Sequence, residues 1–395
     1  MSGNTVPGGS WLPRFEDLDA DQRAIMFADV TRGGTTLVSG PAGSGKTAIA
    51  LYWCKGLADK GVPFILITYH PLLVDYMKSC FADLGIDRAN CLSLNSWILS
   101  IYRKHINPNE EDIHSECIWR NRARDLRAFF ESNPPLENAR QNIVIDEVQD
   151  ISEDQVHIIK ALAHTVYATG DRAQAVTSQG GTQDLRRLWR PSRSYMLLRN
   201  YRTTKRVAEL AALFLDEANS GMSRTDFVAE TRGRPFEAQI EQFFVAGWIN
   251  HIDMAARKAR DARGDGRQVC IVLPTLERVK KALEAPQMRQ LNPVLLSSHT
   301  GYQPNGGTYI AFVGSVKGLE FDHVVMPSLT ASVWDDLKQW REPLVGTTLD
   351  RQVFVAMTRT RNWLTLIMDP VGPASFVSRI RNHLSSATGD APAPF

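Results

Sequence analysis

Short apolar runs recur along the chain near positions 35–38, 64–68, 142–145 and 166–169, and again near 269–273, 308–313, 323–327 and 363–368. Each is brief and bounded by glycine, proline or polar residues, the signature of a strand. Between them lie stretches with helical spacing, for instance 275–283 and 348–358. Strands that alternate with helices predict an α/β fold of parallel sheets flanked by helices. At about 150 residues per domain, a chain of 395 residues is expected to hold two: 1–196 and 197–384. Positions 373–384 read as a closing helix, and 385–395, like 1–10, as disordered. A short helical insertion is expected at about 97–140. Within it, Trp119, Ala123, Leu126 and Phe130 share one helical face while arginines occupy the others, which suits either an amphipathic helix with a solvated basic side or an arm for a nucleic-acid strand or a partner.

Composition changes this picture little. A formal net charge of +2 is too small to attract nucleic acid in bulk, so any such surface must be local, as in Arg186, Arg187, Arg190 and Arg193 or in Arg257, Lys258, Arg260 and Arg263. The five cysteines are scattered without paired spacing and read as reduced thiols. With no apolar leader and no apolar run of about 18 residues, a cytoplasmic chain without a membrane partner is expected.

The chemistry starts where the first apolar run ends. Gly40, Pro41, Ala42, Gly43, Ser44, Gly45, Lys46 and Thr47 follow Leu37-Val38 and precede Ala48-Ile49-Ala50-Leu51, so strand, glycine-rich turn and helix start fall in order. Such a loop curls backbone N–H groups around phosphates at a helix N-terminus. Lys46 would reach the β- and γ-phosphates, and the Thr47 hydroxyl would ligate Mg²⁺, which makes a nucleoside triphosphate and Mg²⁺ the expected ligands, the nucleotide being ATP by the resemblance given below. The run ending at Ile145 delivers Asp146-Glu147-Val148-Gln149-Asp150 at a strand's carboxyl end, where open α/β sheets hold ligands. Asp146 would hold Mg²⁺, and Glu147 would be the general base for water attacking the γ-phosphate. A P-loop alone also suits a kinase, a GTPase or a motor.

From here the chain resembles the superfamily 1 helicases of the UvrD/Rep/PcrA type, over nearly its whole length and with motifs in order. Leu18-Asp19-Ala20-Asp21-Gln22 resembles the glutamine motif, Phe64 to His70 with Pro71-Leu72-Leu73 motif Ia, and Leu92 to Trp97 motif Ib. Ala168 to Gln174 is similar to motif III, Leu197 to Thr203 to motif IV, Val316 to Asp322 to motif V and Val355 to Arg361 to motif VI. The resemblance implies two tandem RecA-like P-loop domains in an ATP hydrolase that moves on or opens DNA. It gives Gln22 the adenine edge, places Gln149 with the nucleotide-binding set, and makes Gln174 the sensor that couples the γ-phosphate to a bound strand. Tyr201 would stack on adenine and Arg202 would point at the γ-phosphate. Gly318 would approach phosphate through its backbone, Glu320 the ribose, and Arg359 would be the arginine finger. Tyr69, His70 and Trp97 are candidate strand contacts.

The two arginines also make physical sense alone, because phosphoryl transfer builds negative charge that a positioned guanidinium stabilises by orders of magnitude. The chain departs from the family in three ways. It has no room for the large accessory domains; Ala175 to Gly181 carries no aromatic platform; and Gly314 stands where a phosphate-contacting histidine is usual. Residues for ATP hydrolysis are thus present while those that grip a strand are reduced. Single-stranded or partly duplex DNA is the expected partner. The alternative is a nucleotide-gated regulatory subunit that partners a nuclease, as in Gabija-type antiphage systems.

Overall fold

The apolar runs form parallel strands. The computed structural model describes residues 12–27, 33–69, 71–113, 115–136, 140–171, 185–217, 222–232, 237–296, 307–329, 349–370 and 375–388. Contacts divide the chain into two units: the first holds residues up to 197 apart from Pro41–Gly43 and 176–178, which fall with 198–395 in the second.

In the first unit the strands are β1 (Gly34–Ser39), β2 (Phe64–Thr68), β3 (Cys91–Ser93), β4 (Gln141–Asp146), β5 (Ala163–Gly170) and β6 (Arg193–Met196). They form one sheet in the order β3-β2-β4-β5-β1-β6, and every pairing is parallel. The helices are α1 (Ala20–Phe27), α2 (Lys46–Asp59), α3 (Pro71–Asp83), α4 (Leu94–His105), α5 (Glu116–Ser132), α6 (Glu153–Leu162) and α7 (Leu185–Trp189). One core packs Leu37, Ile67, Ile143 and Ile145 of the sheet against Trp97, Leu126, Phe130 and Ile159 of α4, α5 and α6. Trp97 is therefore a core residue rather than a surface platform, and Tyr69 is half-buried against the same cluster. His70 lies outside the described residues.

The expected insertion is helical, with Ala123, Leu126 and Phe130 facing the core. Its arginine face is not uniformly solvated. Arg122 is buried, bonded to Glu110 through Nε at 2.9 Å and to the carbonyl of Glu111, with its guanidinium 4.6 Å from the Trp119 ring centre. A buried arginine without acidic partners would cost several kcal/mol, and the pair with Glu110 ties α5 to the turn that precedes it.

The second unit holds β7 (Gln239–Phe244), β8 (Val269–Leu273), β9 (Val294–Leu295), β10 (Thr308–Phe312), β11 (Phe321–Leu329) and β12 (Thr360–Met368), in the parallel order β7-β12-β11-β8-β10-β9. Its helices are α8 (Lys205–Ala212), α9 (Arg224–Ala229), α10 (Trp248–Gly264), α11 (Leu276–Leu283), α12 (Pro286–Leu291), α13 (Leu349–Met357) and α14 (Ser375–Thr388). All five residues of β8 are buried, as a central strand covered on both faces requires. Helix α14 runs four residues past Leu384, into the stretch expected to be disordered, because no residue before Gly389 interrupts it. Lys258 and Arg260, from one of the basic clusters, contact Glu241 at 2.9 Å and Gln290 at 3.3 Å. Among the described residues no helix is long and apolar enough to cross a membrane.

Candidate functional site

At the carboxyl end of the first sheet, β1 runs into the glycine-rich loop and α2 leaves from it. Two glycines of the loop adopt left-handed backbone, Gly43 at φ 75° and Gly45 at φ 87°, which side-chain-bearing residues reach only at a cost. Space is equally restrictive. A Cβ on Gly45 would collide with Nε2 of Gln22, and one on Gly40 would lie 2.7 Å from Ser44 Oγ and 2.8 Å from the Leu197 carbonyl. Lys46 Nζ reaches back over the loop to the Gly40 carbonyl at 2.9 Å. Ser44 Oγ is buried and has no hydrogen-bond partner among the described residues. A buried hydroxyl of this kind costs free energy until an acceptor or donor arrives, and with the helix N-terminus it suits a phosphate group.

Gln22 is positioned behind the loop. Its backbone N–H donates to Asp19 Oδ1 at 2.8 Å, its Oε1 accepts from Asp19 N at 2.9 Å, and its Nε2 donates to the Ser44 carbonyl at 2.9 Å. The side chain is thus rigid and buried beside Ser44 and Gly45.

The acidic pair sits at the end of β4, where Asp146 is in register with Thr68 of β2. Asp146 is wholly buried and accepts three hydrogen bonds: from Thr47 Oγ1 at 2.7 Å, from Thr169 Oγ1, and from the Glu147 N–H at 3.0 Å. Burial, and then the neighbouring Glu147, push its carboxyl up to about 6, opposed by the two threonine hydroxyls and Lys46. Two carboxyl groups so enclosed call for a cation. The donors on hand, Thr47 and Asp146, suit Mg²⁺, which keeps most of its ligands as water and substrate phosphate.

Glu147 has φ 62° and ψ 43°, one of four left-handed non-glycine residues among those described, and is 5 % exposed. Such backbone persists only where its surroundings over-determine it, and it concentrates at functional sites. The Glu147 backbone is tied by its N–H to Asp146 Oδ1 and by its carbonyl to Asp150 N, and its carboxylate is held by Gln149, whose Nε2 donates to Glu147 Oε2 while its Oε1 accepts from Asp171 N at 2.9 Å. Gln149 is therefore a brace between β4 and the end of β5. Gln174 lies outside the described residues.

In the second unit, the segment after Leu198 places two of the expected residues beside Pro41–Gly43. The Tyr201 N–H donates to the Gly43 carbonyl at 2.9 Å, and a Cβ on Gly43 would collide with Arg202 Cβ and Asn200 Oδ1. Asn200 holds the turn, its Oδ1 accepting from Arg202 N at 3.0 Å and Thr203 N at 3.2 Å. The Tyr201 side chain is partly exposed. Arg202 Nε bonds Glu320 Oε1, and Arg361 Nε bonds Glu320 Oε2 at 3.0 Å. Gly318, at φ 77°, precedes this carboxylate by two residues. Arg359 is fully buried at the end of α13, with Nε donating to the Val355 carbonyl at 3.0 Å and Nη2 to Thr358 Oγ1 at 3.1 Å.

The roles of Thr169, Asn200 and Arg361 were not legible in advance. A usable signal existed for Thr169: a threonine near the end of a strand, directly before the glycine-aspartate pair, is placed to donate to whatever the adjacent parallel strand delivers.

The class this fold defines is α/β, with two units that each hold a six-stranded parallel sheet flanked by helices among the described residues. No protein-family model matches the sequence, and no curated protein matches it. Among solved structures the chain is similar to the PRRSV helicase, at 12% identity and a TM-score of 0.41, over 89% of this chain and 56% of that one. It is also similar to the C-terminal domain of a possible DNA helicase from a Lactobacillus (WCFS1), at 14% identity and a TM-score of 0.31, over 47% of this chain and 96% of that one. This chain thus spans little more than half the length of the first.

Proposed function

We propose that the protein is a nucleic-acid-dependent ATPase, a UvrD-like helicase or translocase of superfamily 1 that couples Mg-ATP hydrolysis to movement on or opening of DNA. The observation that carries this reading is the constellation at the end of β4. Thr47 of the glycine-rich loop is bonded to Asp146 at 2.7 Å, and Glu147, in left-handed backbone beside it, has its carboxylate held by Gln149.

In this reading the loop N–H groups and Lys46 bind the phosphates, and Thr47 and Asp146 hold Mg²⁺. When bound, the metal supplies charge neutralisation on the phosphate oxygens. Glu147 takes the proton of the attacking water, and Gln149 keeps its carboxylate aimed. Gln22 and Tyr201 serve the adenine, Gly318 the phosphates, and Arg202 and Arg359 the charge that grows on the transferred group. Gln174 reports the γ-phosphate to the strand site.

The test is steady-state ATP hydrolysis by the purified chain, with and without single-stranded DNA, beside Glu147→Gln as the inactive reference. Strong stimulation by the strand is expected. Hydrolysis indifferent to any strand would replace this reading with that of a nucleotide-gated subunit awaiting a protein partner, and no hydrolysis under either condition would end both.

A further inference from the structure

Both carboxylate oxygens of Glu320 are committed, one to Arg202 and the other to Arg361, and in each case through the arginine's Nε. The three side chains are largely buried, with 14%, 8% and 15% of the Arg202, Glu320 and Arg361 side chains exposed. An Nε contact has a geometric consequence. A guanidinium is planar and carries five donors in a fixed fork, so anchoring Nε sets the direction of the plane while leaving the two terminal amino groups to other acceptors. Among the described residues, none accepts a hydrogen bond from the terminal amino groups of Arg202.

Glu320 is itself held on rigid elements. It directly precedes β11, whose first residue Phe321 is in register with Thr360 of β12 and donates its N–H to the Arg359 carbonyl at 3.0 Å. Arg361 follows Thr360 on β12 and is steadied from the far side by Asp322, at 3.7 Å from its Nη1. Two guanidinium and two carboxylate groups make the cluster neutral. The backbone of Arg202 is fixed at its other end by Asn200 and by close approach to Gly43.

We propose that Glu320 is a positioning residue: with Arg361 as its second ligand, it aims the terminal amino groups of Arg202 at the phosphoryl group being transferred. This rests on the reading of the chain as an ATPase in which Arg202 meets phosphate. It differs from a direct hydroxyl contact with the ribose, because Glu320 then acts through Arg202 and its effect is indifferent to the sugar.

The test is a kinetic cycle on the full chain: wild type, Glu320→Gln, Arg202→Ala and the double variant, each assayed with ATP and with 3′-deoxy-ATP. Misdirecting a charge-stabilising group by about an ångström lowers turnover on the order of a hundredfold. Glu320→Gln is therefore expected to lower kcat roughly ten- to a hundredfold with KM changed less than about twofold, equally on both nucleotides, and to add little in the Arg202→Ala background. A loss seen with ATP but absent with 3′-deoxy-ATP would overturn the proposal in favour of a ribose contact. Losses that multiply fully with those of Arg202→Ala, or unchanged turnover, would also overturn it. Should Glu320→Gln fold poorly, Glu320→Asp, which keeps the charge and shortens its reach, is expected to show the same kcat-dominated loss in milder form. Absence of hydrolysis in the wild type would remove the functional reading and this one together, whereas normal wild-type hydrolysis with an indifferent Glu320→Gln removes this one alone.

Discussion

Asp146 and Glu147 are adjacent, yet the structure gives them different surroundings, and the proposed mechanism gives them different duties. Asp146 is surrounded by hydroxyl donors, while Glu147 is turned away by a backbone angle that an L-residue resists. Glu147→Gln should abolish turnover, by the 10²- to 10⁴-fold typical of losing a general base, and still bind ATP. Lys46→Ala should lose turnover and nucleotide affinity together. Equilibrium binding of a fluorescent ATP analogue beside the hydrolysis assay separates the two, and normal turnover in Glu147→Gln would sink the assignment of the base. Backbone strain gives a second, independent expectation. Relief of a left-handed non-glycine residue is worth about 1 kcal/mol, so Glu147→Gly should melt a few degrees higher while being inactive; a lower melting temperature would mean that the brace from Gln149 outweighs the strain. At this scale the sequence made it legible that the glycines, Lys46, Thr47 and Asp146 would come together, because a strand, a glycine-rich turn and a helix start follow one another and the acidic pair ends a neighbouring strand run. Thr169 and Asn200 escaped because a threonine or asparagine in a strand-to-loop passage has many ordinary uses, and only the neighbouring strand reveals this one.

At the scale of the element, the eight strands anticipated from apolar runs are the eight interior strands of the two sheets. The four that left no readable run, Cys91–Ser93, Arg193–Met196, Gln239–Phe244 and Val294–Leu295, are the edge strands among the described residues. Interior strands of a parallel sheet are covered on both faces and write continuous apolar runs, whereas edge strands are short, mixed or polar. β7 illustrates this with Glu241, which accepts from Thr365 at 3.1 Å and pairs with Lys258. That contact belongs to a chain ending on His323 of β11, buried with Nε2 2.8 Å from Thr365 Oγ1. Burial, then the nearby Arg267 cation, hold His323 down to about 4. Its folded-state value lies below the unfolded one of about 6.5, so the unfolded chain takes up a proton first as pH falls. Above pH 6.5 the residue exerts no pH-dependent pull; between 6.5 and 4 stability is progressively lost, by about 2 kcal/mol at pH 5. Urea denaturation at pH 7 and pH 5 should show that drop, and His323→Gln should flatten it. An unchanged slope in the variant would place the acid sensitivity elsewhere. In the first unit, Arg122→Ala should cost about 2–3 kcal/mol by stranding Glu110 and should expose the turn around Glu110 to protease, as limited digestion would report.

At the scale of the whole molecule, the proposed cycle makes one further demand. Arg359 lies at the end of α13 with its guanidinium bound to Val355 and Thr358, and the proposed mechanism assigns it to charge that develops only during transfer. Arg359→Ala should then reduce turnover by about 10³-fold or more with ATP affinity little changed, measured as kcat against the dissociation constant. A defect mainly in affinity would make it a ground-state clamp. The sheets that carry these residues have a consequence for how the protein comes into being. Every strand pairing described is parallel, so no two paired strands can zip together through a tight turn; each waits for an intervening crossover to be made and placed. Loop closure is then paid before any ladder rewards it, which slows folding and leaves segments such as Val269–Leu273 uncovered in the nascent chain. The yield of native protein should accordingly depend more on the temperature and pace of synthesis than on the stability of the finished fold.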